Sequence, residues 1–99
     1  MLKHVVAVNL NYEEGDPKIA EFFKAAEEML SPVTQVKKYC HYRVQNPEEC
    51  GYAYGFILEF DSFEGLTEYS VDPLHLKFTD DYWNDAVKNF IDINYIPMD

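Results

Sequence analysis

Hydrophobic spacing along the 99-residue chain switches between a period of two and a period near 3.6, and each switch marks an element. Residues 2–10 form a strand. Val5, Val6 and Val8 are β-branched and both faces are largely apolar, as in a strand covered on two sides. By the period of two, His4 shares a face with Leu2, Val6, Val8 and Leu10. After a polar loop from Asn11 to Gly15, Asp16-Pro17 reads as an N-cap with proline at the first helical position. Ile19, Phe22, Phe23, Ala26, Met29 and Leu30 then recur at helical spacing, opposite Lys18, Glu21, Lys24, Glu27 and Glu28. This predicts an amphipathic helix that Ser31-Pro32 ends. Residues 34–44 alternate again. Val36, Lys38, Cys40, Tyr42 and Val44 form one face; Lys37, Tyr39, His41 and Arg43 form the other, which its polarity assigns to solvent or a wet interface.

A loop over 46–51 leads to a third strand, residues 52–60. Tyr54, Phe56, Leu58 and Phe60 line one face; Ala53, Gly55, Ile57 and Glu59 line the other. Gly55 in its interior points to close packing by another group. Asp61 or Ser62 caps a short helix through about Tyr69. Asp72-Pro73 then starts a helix predicted to run to about Val87, with His75, Phe78, Tyr82 and Ala86 on one stripe that Trp83 and Val87 widen. Residues 89–96 read as the last strand, stopped by Pro97. The order is β-α-β-β-α-β, an α+β ferredoxin-like pattern whose four-stranded antiparallel sheet carries helices on one face. Because the first and third strands are apolar on both sides, the second face needs a cover, most simply another copy of the chain. No repeat or linker interrupts residues 1–99, so one domain is expected.

Charge and composition narrow the function. Eight Lys+Arg stand against 18 Asp+Glu, a formal net charge of -10, which argues against nucleic acid and anionic membranes. No run of apolar residues approaches a membrane span, and no basic, apolar leader precedes the first strand. A cytoplasmic protein is therefore expected, with Cys40 and Cys50 as free thiols lacking metal-site spacing. No metal or other cofactor is expected: His4, His75 and a carboxylate such as Glu59 or Asp72 have no ligand-like spacing, and Glu59 lies on the other face from Phe60.

The chemistry concentrates in residues 68–78. His75 falls in the first turn of the Asp72-capped helix, where the helix dipole disfavours a positive charge and keeps the imidazole neutral. A neutral imidazole can take a proton, and Tyr69, just before the turn, offers a phenol that can donate a hydrogen bond. Periodicity turns His75 inward with Phe78 and Tyr82. His41, among Lys37, Tyr39 and Arg43, reads as a surface histidine.

These features together, Lys3-His4-Val5-Val6, Gly51-Tyr52-Ala53, Phe60-Asp61-Ser62 and above all Tyr69-x-x-x-Pro73-x-His75-x-x-Phe78, resemble the stress-responsive A/B barrel (Dabb) family over nearly the whole chain. The family usually has His-Pro where this chain has Asp72-Pro73. The resemblance implies a ferredoxin-like fold that forms a dimeric α+β barrel, sheet to sheet. It also implies a possible cofactor-free, polyketide cyclase-like reaction. In one branch, residues matching Tyr69 and His75 carry the proton transfers and a histidine matching His4 lines the pocket. On that reading Tyr69 and His75 are catalytic. His4, Phe23 (or Phe22), Phe56, Phe78 and Tyr82 bind a small apolar or aromatic substrate. The alternative is a small-molecule-binding or purely structural dimeric module, in which Asp72 caps the helix and His75 bonds a backbone carbonyl.

Overall fold

In the computed structural model, which describes residues 1–98, the elements follow the expected order. They are β1 (Leu2–Leu10), α1 (Pro17–Leu30), β2 (Lys38–Arg43), the helical turn α2 (Pro47–Cys50), β3 (Tyr54–Phe60), α3 (Phe63–Ser70), α4 (Pro73–Phe78), a π-helical turn (Thr79–Trp83), α5 (Asn84–Ala86) and β4 (Val87–Tyr95). The strands form one antiparallel sheet in the order β2-β3-β1-β4, the ferredoxin-like arrangement. No helix of the described residues is long and apolar enough to cross a membrane.

The core lies between one sheet face and α1. Leu2, Val6, Val8 and Leu10 of β1 meet Tyr54, Phe56, Leu58 and Phe60 of β3, and Ile19, Phe22, Phe23, Ala26 and Leu30 of α1 cover them. Asp16 caps α1 through Lys18 N (2.9 Å), with Pro17 at the first helical position. Gly55 sits at a close approach: a Cβ there would lie 3.1 Å from the Val6 carbonyl oxygen.

β2 reverses the expected facing. Directly opposed residues in an antiparallel pair share a face, and Tyr39, His41 and Arg43 oppose Leu58, Phe56 and Tyr54. Tyr39 leans on Phe56 and the exposed His41 ring on Phe23, at 6.1 and 5.1 Å between centroids. Cys40 and Tyr42 lie on the other side. Both faces of this strand are mixed, so alternation located the strand without orienting it.

The opposite face of the sheet carries no helix. Val5, Ala7 and Ile57 run across its centre, flanked by Ile91, Ile93 and Tyr95 of β4, which are 44, 41 and 53% exposed. Cys40 and Cys50 are both free thiols.

The predicted long second helix is three joined pieces. In the π-helical turn the Asn84 N–H bonds the Thr79 carbonyl, five residues back, which inserts a residue into the turn. From Val87 the chain is already β4, two residues earlier than the sequence pattern suggested.

Candidate functional site

The site is assembled at the joint between α3 and α4. Ser62 caps α3 through Gly65 N (3.3 Å), and the helix delivers Tyr69 in its last turn. The chain then turns: Asp72 N bonds Tyr69 O (3.1 Å) and the Asp72 carboxylate accepts from Leu74 N (2.9 Å) to start α4. Pro73 occupies the first helical position and His75 the first turn. His75 Nδ1 lies 3.0 Å from the Ser70 carbonyl, which can only accept. The neutral ring therefore carries its proton on Nδ1 and its lone pair on Nε2.

Tyr69 is buried, with its ring 4.6 Å from that of His75 and 5.1 Å from that of Phe60. His4, half-buried on β1, lies 6.5 Å from Tyr69 between ring centroids. Its Nδ1 is 2.6 Å from Asn94 Oδ1, across the β1–β4 pair. With that oxygen accepting, His4 Nδ1 is the donor.

The electrostatics follow from burial. Desolvation pushes the His75 pKa below its ordinary 6.5; the Ser70 hydrogen bond opposes this, nearby His4 adds to it and Asp72 opposes it again. His75 is thus a neutral ring at pH 7. Burial, with a smaller push from Asp72, raises the Tyr69 phenol well above its usual range, so it stays a donor. The departure to Asp72 at this corner therefore leaves the His75 base neutral.

A cavity of about 260 Å³ opens beside these groups. Val6, Phe56 and Leu58 of the sheet form its floor; Leu30, Phe78 and Trp83 form its helical walls. His4, Tyr69, His75, Thr79 and Asp92 are its polar members, and Phe90 completes the β4 side. On the outer side His4, Tyr69, His75 and Asp92 also border a surface groove with Phe63, Leu66, Thr67, Ser70 and Asn94.

Five sequence-predicted residues thus come together: His4, Phe56, Tyr69, His75 and Phe78. Phe23 and Tyr82 stand elsewhere. Phe23 packs toward β2, against His41 and Tyr54, and borders a separate concavity with Glu14 and Arg43. Tyr82 is 39% exposed, stacked on the outer side of Phe78 among Lys18, Glu21, Asp81 and Asp85. The π-helical turn is the reason: an i+5 step aligns Phe78 with Trp83, where an i+4 step would have selected Tyr82.

Trp83, Thr79, Phe90 and Asp92 were not singled out as site residues from the sequence. For Phe90 and Asp92 the sequence held the phase, and only the strand pairing supplies the face. Phe90, Asp92 and Asn94 alternate in phase along β4, and Asp92 and Asn94 oppose Val6 and His4. The same register argument puts Glu59, opposite Lys3 and Lys38, away from the histidines. No cluster of three metal-ligating side chains occurs among the described residues.

The comparisons agree with this architecture. A Dabb family protein with a ferredoxin-like fold from Mesorhizobium loti superposes with a TM-score of 0.93 and 28% identity, covering 99% of this chain and 97% of its own. A hydroxynitrile lyase from Passiflora edulis gives a TM-score of 0.82 at 14% identity, covering 98% of this chain and 93% of its own. A dimeric ferredoxin-like protein of unknown function from Thermobifida fusca gives 0.79 at 12% identity, covering 95% of this chain and 88% of its own. At 14 and 12% identity the likeness is one of fold. No curated protein sequence matches the chain significantly. The sequence profile of the stress responsive A/B barrel domain matches residues 2–97, and the chain belongs to that family, Dabb.

Proposed function

We propose that this protein is a cofactor-free proton-transfer enzyme acting on a small carbonyl compound, with Tyr69 and His75 as its acid–base pair. One observation carries the reading. His75 is held on the Ser70 carbonyl through Nδ1, its ring is 4.6 Å from that of Tyr69, and both line one largely apolar cavity. In the proposed step, His75 Nε2 takes a proton from the carbon next to a carbonyl. The electron pair of that C–H bond forms the enolate, whose oxygen accepts a hydrogen bond from the Tyr69 hydroxyl. The enolate carbon then regains a proton from the imidazolium, or attacks a second carbonyl carbon of the substrate. In the second case the imidazolium proton passes to the new alkoxide. His4, fixed by Asn94, orients the substrate at the cavity wall.

The protein is proposed to act as a cytoplasmic homodimer, with two copies joined through the uncovered sheet face. The apolar stripe of Val5, Ala7, Ile57, Ile91 and Ile93 supports this, as does the dimeric state of the Thermobifida fusca relative.

A second reading has one observation in its favour. The His75–Ser70 bond also joins α3 to α4, so the same histidine could serve as a clamp around a binding pocket. Deuterium exchange separates the two. The catalytic reading expects the protein to accelerate loss of the methyl protons of acetophenone in D2O, and His75→Gln to slow it by about 100-fold. Equal rates in the two proteins would leave the clamp alone.

A further inference from the structure

The cavity and the outer groove carry no Lys or Arg among their lining residues, while Asp92 borders both. Carboxylate and phosphate ligands require basic partners or an array of backbone donors, because moving an anion into an apolar site uncompensated is costly. Here the polar contacts on offer are two imidazoles, a phenol, a threonine hydroxyl and a carboxylate. The Tyr69 phenol can donate to a neutral oxygen, while the Thr79 hydroxyl already donates to the His75 carbonyl (3.0 Å) and His75 Nε2 accepts; none of the lining groups brings a fixed positive charge. Asp92 stands on β4 directly across from Val6, in phase with Phe90 and Asn94; it is exposed and borders both the cavity and the outer groove. An incoming anion would meet that charge first, on a chain whose formal net charge is -10.

The size is also restrictive. A dry cavity of about 150 Å³ is enough for benzene. A volume of about 260 Å³ takes one ring with a short substituent and leaves no room for a nucleotide-bearing carrier inside.

We propose that the site selects uncharged, single-ring carbonyl compounds and rejects carboxylates and phosphate-bearing thioesters, with Asp92 as the residue that enforces the choice. The carbonyl part of this statement rests on the proton-transfer reading above; the charge selection rests on the lining alone. The aromatic floor and walls of Phe56, Phe78 and Trp83 hold the ring, with the oxygen toward Tyr69 and the neighbouring carbon toward His75.

Three probes of nearly one shape test it: acetophenone, benzoate and phenyl phosphate, with binding measured by NMR titration or calorimetry on the intact protein. Acetophenone is expected to bind at least about tenfold more tightly than either anion. Asp92→Asn, nearly isosteric on an exposed strand, is expected to raise the affinity for benzoate relative to that for acetophenone about threefold. Asp80→Asn, the same charge change on the exposed helical surface away from the cavity, is expected to leave the ratio as in the wild type. Benzoate or phenyl phosphate binding as tightly as acetophenone overturns the proposal. So does an unchanged ratio in Asp92→Asn, and so does the absence of acetophenone binding. The two readings can fail separately. Preferred binding of acetophenone without exchange of its methyl protons removes the catalysis and leaves the selection. Exchange accompanied by equal binding of benzoate does the reverse.

Discussion

At the residue scale, the account turns on one histidine with two nitrogens in two different roles. Nδ1 closes the turn between α3 and α4 on Ser70, and Nε2 carries the lone pair. His75→Gln should therefore cost about 1 kcal/mol in urea unfolding, the worth of one hydrogen bond, beside its larger effect on exchange. Because burial sets the folded His75 pKa below 6.5, the unfolded chain holds more protons than the folded one in the window beneath 6.5. This contribution to stability is full above that value and is lost as pH falls through the window. The exchange rate should show the same acid limb, while the raised Tyr69 phenol keeps its proton well into alkaline solution. In His75→Gln the His75-linked slope of stability with pH should vanish, which thermal melts between pH 4 and 8 would reveal as a flatter profile. Asp72→Ala removes the cap of α4 and should cost about 1 kcal/mol by the same measurement. His75, Tyr69 and Asp72 were legible in the sequence because local rules place them: cap, proline and first turn follow one another within four residues. Asp92 was not, because its part depends on which strand β4 pairs with and on which face the pairing exposes.

At the scale of elements, β1, β3 and α1 were legible because their periods are clean and the cap of α1 is strong, whereas β2, expected over 34–44, is confined to Lys38–Arg43. β1 and α1 run over the expected residues, and β3 begins two residues late. The helix after Asp72 was legible only in its first turn. Periodicity assumes 3.6 residues per turn throughout, and the π-helical turn at Thr79–Trp83 breaks that assumption by one residue. The consequence reaches the cavity, since the inserted residue brings Trp83 to its wall and turns Tyr82 outward. Deleting Asp80 should let this turn relax to α-helical bonding and make Trp83 the i+4 neighbour of Phe78, on the same side as before. Far-UV circular dichroism and acetophenone binding are then both expected to stay near wild type. Lost binding would mean that the wide turn itself shapes the site. β3 offers a test of close packing in the same sheet. Gly55→Ala would push a methyl against the backbone oxygen of Val6 in the sheet centre, so a loss of about 1–3 kcal/mol is expected on unfolding.

At the scale of the molecule, one sheet face is spent on α1 and the cavity, and the other is left apolar. The expectation of a covered second face came from the doubled apolar character of β1 and β3, which Val5, Ala7 and Ile57 supply. The register adds what the pattern could not, that Ile91 and Ile93 of β4 extend the same stripe. Light scattering is expected to give a mass near twice the 11.6 kDa of one chain, and the double substitution Ile91→Lys and Ile93→Lys to halve it. Whether one copy or two, the central claim is that a neutral imidazole, held through Nδ1, presents Nε2 to a carbonyl compound. Nitrogen-15 NMR of the histidine side chains reads this directly. The account predicts a His75 ring protonated on Nδ1 at pH 7, titrating below 6.5, with an Nε2 resonance that moves when acetophenone is added. A His75 protonated on Nε2, or one that titrates above 6.5, would contradict it.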